Sequence, residues 1–144
     1  MNLTRRDVCV MGAGAAAAVA LAGSPIRAIA ATDKTKAAID AFTGGVAPSE
    51  GGIDLGTPEI AENGNTVPVS VEAKGAKKVM LLADGNPNPG VVTFRFGPLA
   101  GAQSASTRIR LAGTQNVVAV ADMGDGSFRM ATREVKVTIG GCGG

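Results

Sequence analysis

The chain has no histidine, no tryptophan and no tyrosine, and only two cysteines and four phenylalanines among its 144 residues. Each absence closes a class of chemistry. Without imidazole, neither a Ser-His-Asp triad nor a histidine general base can be built. A structural zinc site takes about four Cys or His ligands, and two thiols fall short. Two cysteines are also too few for a disulfide framework. A formal net charge of +2 gives no electrostatic footprint for nucleic acid, and so few aromatic rings offer little surface for base stacking. No apolar run reaches the roughly 20 residues of a bilayer span. Glycine, by contrast, occurs 21 times, and the sequence closes on Ile139-Gly140-Gly141-Cys142-Gly143-Gly144. One cysteine stands between two pairs of glycines.

The first thirty residues have the features of an export address. Arg5-Arg6 precede Asp7-Val8-Cys9-Val10 and an Ala/Val/Leu run to Ala22, and Ala28-Ile29-Ala30 forms a small-x-small cleavage site. A charged start, a weakly apolar middle and such a site predict a signal peptide over residues 1–30. The pair Arg5 and Arg6 in Thr4-Arg5-Arg6-Asp7-Val8 is of the twin-arginine type, which predicts a periplasmic protein. Removal of residues 1–30 takes three of the 14 basic and one of the 12 acidic side chains, leaving 11 of each and a net charge of zero. It also removes Cys9. Cys142 is then the single thiol, so an intramolecular disulfide is impossible, and that thiol either pairs between molecules or carries chemistry.

The rest of the chain predicts one domain over residues 31–139. Ala38, Ile39 and Phe42 fall at helical spacing, which predicts a short amphipathic helix capped by Thr32 or Asp33 and ended by Gly44-Gly45. From Ile53 the hydrophobic period becomes two. Val67, Val69 and Val71 alternate with polar residues; so do Val79, Leu81 and Ala83, then Val92, Phe94 and Phe96, then Ile109 and Leu111, Val118 and Val120, and finally Val135, Val137 and Ile139. Turn formers separate them, among them Asn63-Gly64, Lys74-Gly75, Asp84-Gly85-Asn86-Pro87-Asn88-Pro89-Gly90 and Asp122-Met123-Gly124-Asp125-Gly126. Some seven short strands of this kind predict a mainly β, immunoglobulin-like antiparallel sandwich. Pro68 places its strand at an edge or a bulge. Asp122 and Asp125 are expected to be hairpin-turn residues rather than a catalytic or metal-binding pair, and Arg108, Arg110, Arg129 and Arg133 a solvated sheet face.

Residues 140–144 are expected to act as a mobile carrier arm. Gly140, Gly141, Gly143 and Gly144 give the backbone wide conformational freedom, and the steps from Ile139 to Cys142 allow a reach on the order of 10 Å. A thiol so presented, with no bulky neighbour, can be inserted into a narrow active-site channel, and its thiolate forms sulfur–sulfur bonds reversibly. The arm holds no general acid and no oxyanion hole, and no metal or cofactor is expected, so catalysis must come from partners. The alternative is a structural subunit that uses Cys142 for an interchain disulfide. A C-terminal diglycine also serves ubiquitin-like sulfur carriers, but those need no cysteine beside it, and prenylation is excluded because Cys142 is third from the end.

The leader, the short helix, Pro58-Glu59-Ile60-Ala61-Glu62-Asn63-Gly64, Asn86-Pro87-Asn88-Pro89 and the ending Val135-Lys136-Val137-Thr138-Ile139-Gly140-Gly141-Cys142-Gly143-Gly144 together resemble the SoxY family of the periplasmic thiosulfate-oxidising system. The resemblance spans essentially the whole exported chain and is most specific at its terminus. It implies a non-catalytic carrier with Cys142 as the covalent attachment site. A c-type haem enzyme, SoxXA, would join thiosulfate to the Cys142 sulfur as an S-thiosulfonate. The dimanganese hydrolase SoxB would release sulfate and leave a persulfide, and a sulfane dehydrogenase, SoxCD, would oxidise that where it is present. It also implies a heterodimer with SoxZ, which fits export of a folded pair on one leader.

Overall fold

The alternation in Val67-Pro68-Val69-Ser70-Val71-Glu72 is the simplest part of the fold to derive. In a strand successive side chains point to opposite faces, and here Val67, Val69 and Val71 are buried while Pro68, Ser70 and Glu72 are exposed. The computed structural model describes the backbone of residues 25–140 and the side chains of residues 33–140. The chain divides into two compact units, Met1–Ala30 and Ala31–Gly144, and all the described side chains lie in the second.

One helix and nine strands make up the described residues: α1 (Pro25–Thr43), β1 (Ser49–Glu50), β2 (Asp54–Gly56), β3 (Ile60–Ala61), β4 (Val67–Glu72), β5 (Lys78–Ala83), β6 (Gly90–Arg95), β7 (Ser104–Ile109), β8 (Gln115–Asp122) and β9 (Phe128–Val137). They form the expected mainly β sandwich. One sheet runs β1-β9-β8-β5-β6, with β3 also paired to β9, and the other runs β2-β4-β7. Strands β4 to β9 pair antiparallel. The two-residue strands β1 and β3 instead pair parallel with the two ends of β9, at Ser49↔Arg129 and Ile60↔Lys136, a departure from a purely antiparallel plan. Between them the chain crosses to the second sheet as β2, so the free edge of β9 is covered at both ends.

Strands β5 and β8 are buried along almost their whole length because both of their faces are covered. Val79, Leu81, Ala83, Val117, Ala119 and Ala121 face the smaller sheet and meet Val67, Val69 and Val71 there. Met80, Leu82, Val118 and Val120 face outward and are covered by Ala38, Ile39 and Phe42 of the helix. Phe42 meets Phe128 edge to face, with centroids 6.2 Å apart, and Lys78 sits 5.2 Å from the Phe42 ring centroid while its ammonium pairs with Asp122 at 3.2 Å. The architecture is therefore three layers: helix, large sheet, small sheet.

Three sequence expectations change in detail. The helix begins at Pro25, so Thr32 and Asp33 lie inside it and do not cap it. Pro is suited to the first helical position, and Ala28 to Ala31 are good helix formers, apart from β-branched Ile29. Its end is as expected: Gly44 (φ +67°) and Gly45 (φ +89°) are left-handed, and the Gly45 amide donates to the Asp40 carbonyl at 3.0 Å, a Schellman closure. Strand β7 starts at Ser104 and ends at Ile109. Its small residues Ser104, Ala105, Ser106 and Thr107 carry almost no hydrophobic period, and Leu111 is buried just beyond it. Pro68 lies in the central strand of its sheet, not an edge strand, but β2 pairs with β4 only as far as Gly56↔Ser70. That side of β4 is locally open at Pro68, so the missing N–H interrupts no ladder there.

Leu81, fully buried, is expected to cost about 2–5 kcal/mol on truncation to alanine. Leu99, 97% exposed, is expected to cost under about 0.5 kcal/mol. Urea denaturation of the two variants checks the pair.

Candidate functional site: the root of the C-terminal arm

Of the residues predicted to form the site, Gly140 is described. Gly141, Cys142, Gly143, Gly144, Arg5 and Arg6 lie outside the described residues. The structure therefore defines the place from which the arm departs. Strand β9 ends at Val137, yet its main chain stays held beyond that point. Val137 N–H donates to Thr114 Oγ1 at 3.0 Å and Thr138 N–H to the Ala61 carbonyl at 3.1 Å. The Thr138 hydroxyl donates to the Glu62 carbonyl at 2.9 Å. Gly64 N–H donates to the Ile139 carbonyl at 2.7 Å, and Leu111 N–H to the Gly64 carbonyl at 2.8 Å. Segment 61–64 thus ties the last residues of the chain to the loop after β7.

Gly140 packs against that loop. A methyl group at this position would run into the carbonyl oxygen of Ala112, so glycine is required here for close backbone approach. The expected role of Gly140 was conformational freedom; its surroundings add a steric one.

The loop is itself fixed from below by an asparagine. Asn86 donates through Nδ2 to the Arg110 carbonyl at 2.8 Å, and its Oδ1 accepts from Ala112 N–H at 2.9 Å and from Gln115 Nε2 at 3.0 Å. Gln115, 7% exposed, donates further to the Gly113 carbonyl at 3.1 Å and accepts from Gly85 N–H at 2.8 Å. Asp84 holds the next residue, accepting from Asn116 N–H at 2.9 Å and from Asn116 Nδ2 at 2.8 Å. Sequence reasoning read Asn86-Pro87-Asn88-Pro89 as a rigid surface turn; Asn86 instead turns its amide inward to set the Ala112 carbonyl against Gly140. Ala112, Thr114 and Gln115 were missed, since nothing in their local pattern marks them. The only clue was a buried-type amide in a turn rich in asparagine and proline.

The arginines do not converge on the root. Arg108, Arg110, Arg129 and Arg133 are all exposed. Arg129 and Arg133 stand opposite Ala121 and Val117, well back along β9, and Arg110 alone adjoins the loop. Asp122 and Asp125 are turn residues, as expected. Asp122 Oδ1 accepts from Gly124 N–H at 2.8 Å, and Asp125 Oδ1 accepts from Ser127 N–H at 2.9 Å and from its hydroxyl at 2.5 Å. The Ser127 hydroxyl and then its N–H hold the Asp125 carboxyl below the usual carboxylate range. Among the described residues no three His, Cys, Asp or Glu side chains come together as metal ligands would.

Comparison with known proteins decides the family. Residues 39–142 match the family described as sulfur oxidation protein SoxY. The chain belongs to the SoxY family.

The match runs from the helix through the whole sandwich and ends at Cys142. The sulfur carrier protein SoxY of Chlorobium limicola f thiosulfatophilum has the same fold, with 37% identity and a TM-score of 0.67 over 74% of this chain and 94% of that one. A superoxide reductase (neelaredoxin) of Ignicoccus hospitalis is similar at 17% identity and a TM-score of 0.54, covering 60% of this chain and 80% of that one. That likeness is one of fold alone. No curated protein matches the sequence. The SoxY fold thus supplies a sandwich that hosts unrelated activities, and what is specific to this chain must lie in its sites.

Gly140→Ala is expected to destabilise the domain by about 1–3 kcal/mol, because Ala112 must move. Gly113→Ala, with open space at its Cα, is expected to change stability by less than about 0.5 kcal/mol. Asn86→Ala strands the Ala112 N–H and the Gln115 amide, at a cost of about 1–3 kcal/mol. Faster amide hydrogen exchange at Ala112 in that variant checks the assignment.

Proposed function

We propose that this SoxY-family chain carries sulfur substrate covalently on Cys142 during oxidation of thiosulfate to sulfate. The observation that carries this reading is the family match, which extends up to Cys142. Likeness to a sulfur carrier protein at 37% identity supports it. A second support comes from the root: the backbone is held at Ile139 and Gly140, and two residues later stands a cysteine framed by glycines. In this reading the thiolate of Cys142 is joined to the sulfane sulfur of thiosulfate in a two-electron oxidation, and the electrons pass to the c-type haem of SoxXA. The product is a cysteine S-thiosulfonate. SoxB hydrolyses its terminal S–S bond, releasing sulfate and leaving the outer sulfur on Cys142 as a persulfide. SoxCD, where present, oxidises that sulfur, and a second hydrolysis returns the thiol.

The chain supplies no catalyst to these steps and needs none: its part is to hold the sulfur and present it. SoxZ is the proposed permanent partner and the periplasm the proposed compartment. Residues 1–30 act as a twin-arginine-type leader, in keeping with Arg5-Arg6 and with a division of the chain after Ala30. No helix among the described residues is long and apolar enough to cross a membrane.

Cys142→Ser is expected to abolish thiosulfate-dependent electron transfer in the reconstituted system while folding and SoxZ binding persist. Intact-mass measurement after turnover should place the adduct on the C-terminal peptide. Normal turnover by the serine variant would overturn the reading.

A further inference from the structure

Because the root of the arm is held, the position of any enzyme that acts on its thiol is held too. Gly64 N–H bonds to the Ile139 carbonyl, and Gly140 lies against Ala112. Cys142 is two residues further on. At roughly 3.3–3.6 Å per extended residue, its Cα stands at most about 7 Å from that of Gly140. An enzyme with a recessed catalytic centre can receive the sulfur only if the lip of its entrance closes on the surface around Gly140.

That surface carries two of the four exposed large apolar side chains among the described residues. Ile139, 67% exposed, adjoins Gly140, and Ile60, 59% exposed, lies on β3. Ile60 pairs with Lys136, and Ala61 with Val137, which sets Ile60 roughly 13 Å back along the strand from the exit point at about 3.3 Å per residue. A recognition footprint of about 800 Å² per partner is a disc of roughly 16 Å radius, so one centred on Gly140 takes in both side chains. Exposed Glu59, Glu62 and Lys136 surround them, the apolar centre and charged rim of a protein interface. Two isolated isoleucines bury too little for a permanent contact, which needs about 1,000 Å² in total.

We propose that Ile139 and Ile60 form the transient docking contact on which the apolar entrance lip of the arm-processing enzymes closes. This rests on the carrier reading above. Both side chains are exposed, so their replacement by aspartate leaves the fold intact while placing a charge against an apolar lip. The contact belongs to recognition and not to the bond-making atoms, so its loss appears in KM.

The test uses the carrier complex purified with its partner subunit and loaded with tetrathionate. The Cys142 thiolate attacks one of the two inner sulfurs of tetrathionate, an S–S bond breaks, thiosulfate leaves and the S-thiosulfonate remains. Sulfate release by the hydrolase is then followed for the parent chain and for Ile139→Asp, Ile60→Asp and Leu99→Asp. Leu99 lies between β6 and β7, away from the β9 edge. The expected result is a KM for the loaded carrier raised about tenfold or more by each isoleucine change. Leu99→Asp leaves KM unchanged, kcat stays within about twofold throughout, and alkylation of unloaded Cys142 by iodoacetamide proceeds at the parent rate. Unchanged KM in both isoleucine variants overturns the docking contact alone. Loss of self-association in those variants with unchanged KM also overturns it and assigns the patch to a second copy of the chain. Failure of the parent chain to form the adduct at Cys142 overturns the carrier reading and the docking contact with it.

Discussion

Burial of β5 and β8 on both faces is the constraint on which the rest of the structure depends. Their runs Val79 to Ala83 and Val117 to Ala121 have no polar side, so one sheet cannot satisfy them alone. The small sheet covers one face and the helix the other. With both faces closed, β8 is a fixed template, and β9 pairs with it over eight residues, from Phe128 to Val135. What the core fixes in β8 is therefore transmitted to the end of β9, where the chain departs.

The departure point is held by polar contacts rather than by further core. Past Val135 the ladder to β8 is finished, and β3, the segment 61–64, Thr114 and the Asn86–Gln115 pair take over. Such a network has high stakes in a partly dry setting, since a donor left without its acceptor costs more than the bond contributes. A carrier gains from this arrangement. Rigid up to Gly140, the protein spends its conformational freedom only on the residues that must enter another molecule.

Much of this was legible in the residues. Strict alternation gave β4 without ambiguity, the double-sided runs gave β5 and β8, Gly44-Gly45 gave the helix end, and the turn chemistry of Asp122 and Asp125 was read as the structure has it. Where alternation depended on alanine, serine and threonine, as in β7, the period was too weak to place the strand. Short parallel pairs such as β1 and β3 with β9 leave no local pattern, because two residues cannot show a period. The terminus was marked by its composition, but the close approach of Gly140 to Ala112 joins positions 28 residues apart and no local rule reports it. The same holds for Asn86, whose role is set by the loop it reaches and not by the turn that contains it.

Tethering a thiol by two residues to a fixed point also sets its chemistry in bulk terms. Confined to one side of the surface within about 10 Å of Gly140, a single sulfur is present at a local concentration on the order of 1 M. A partner that has closed on the root meets substrate at that concentration whatever the amount of free sulfur in solution. Two carriers, by contrast, can join their thiols only if their roots come within about 20 Å of each other. Short reach thus protects the resting carrier from disulfide exchange with its own kind, while costing nothing once an enzyme has docked.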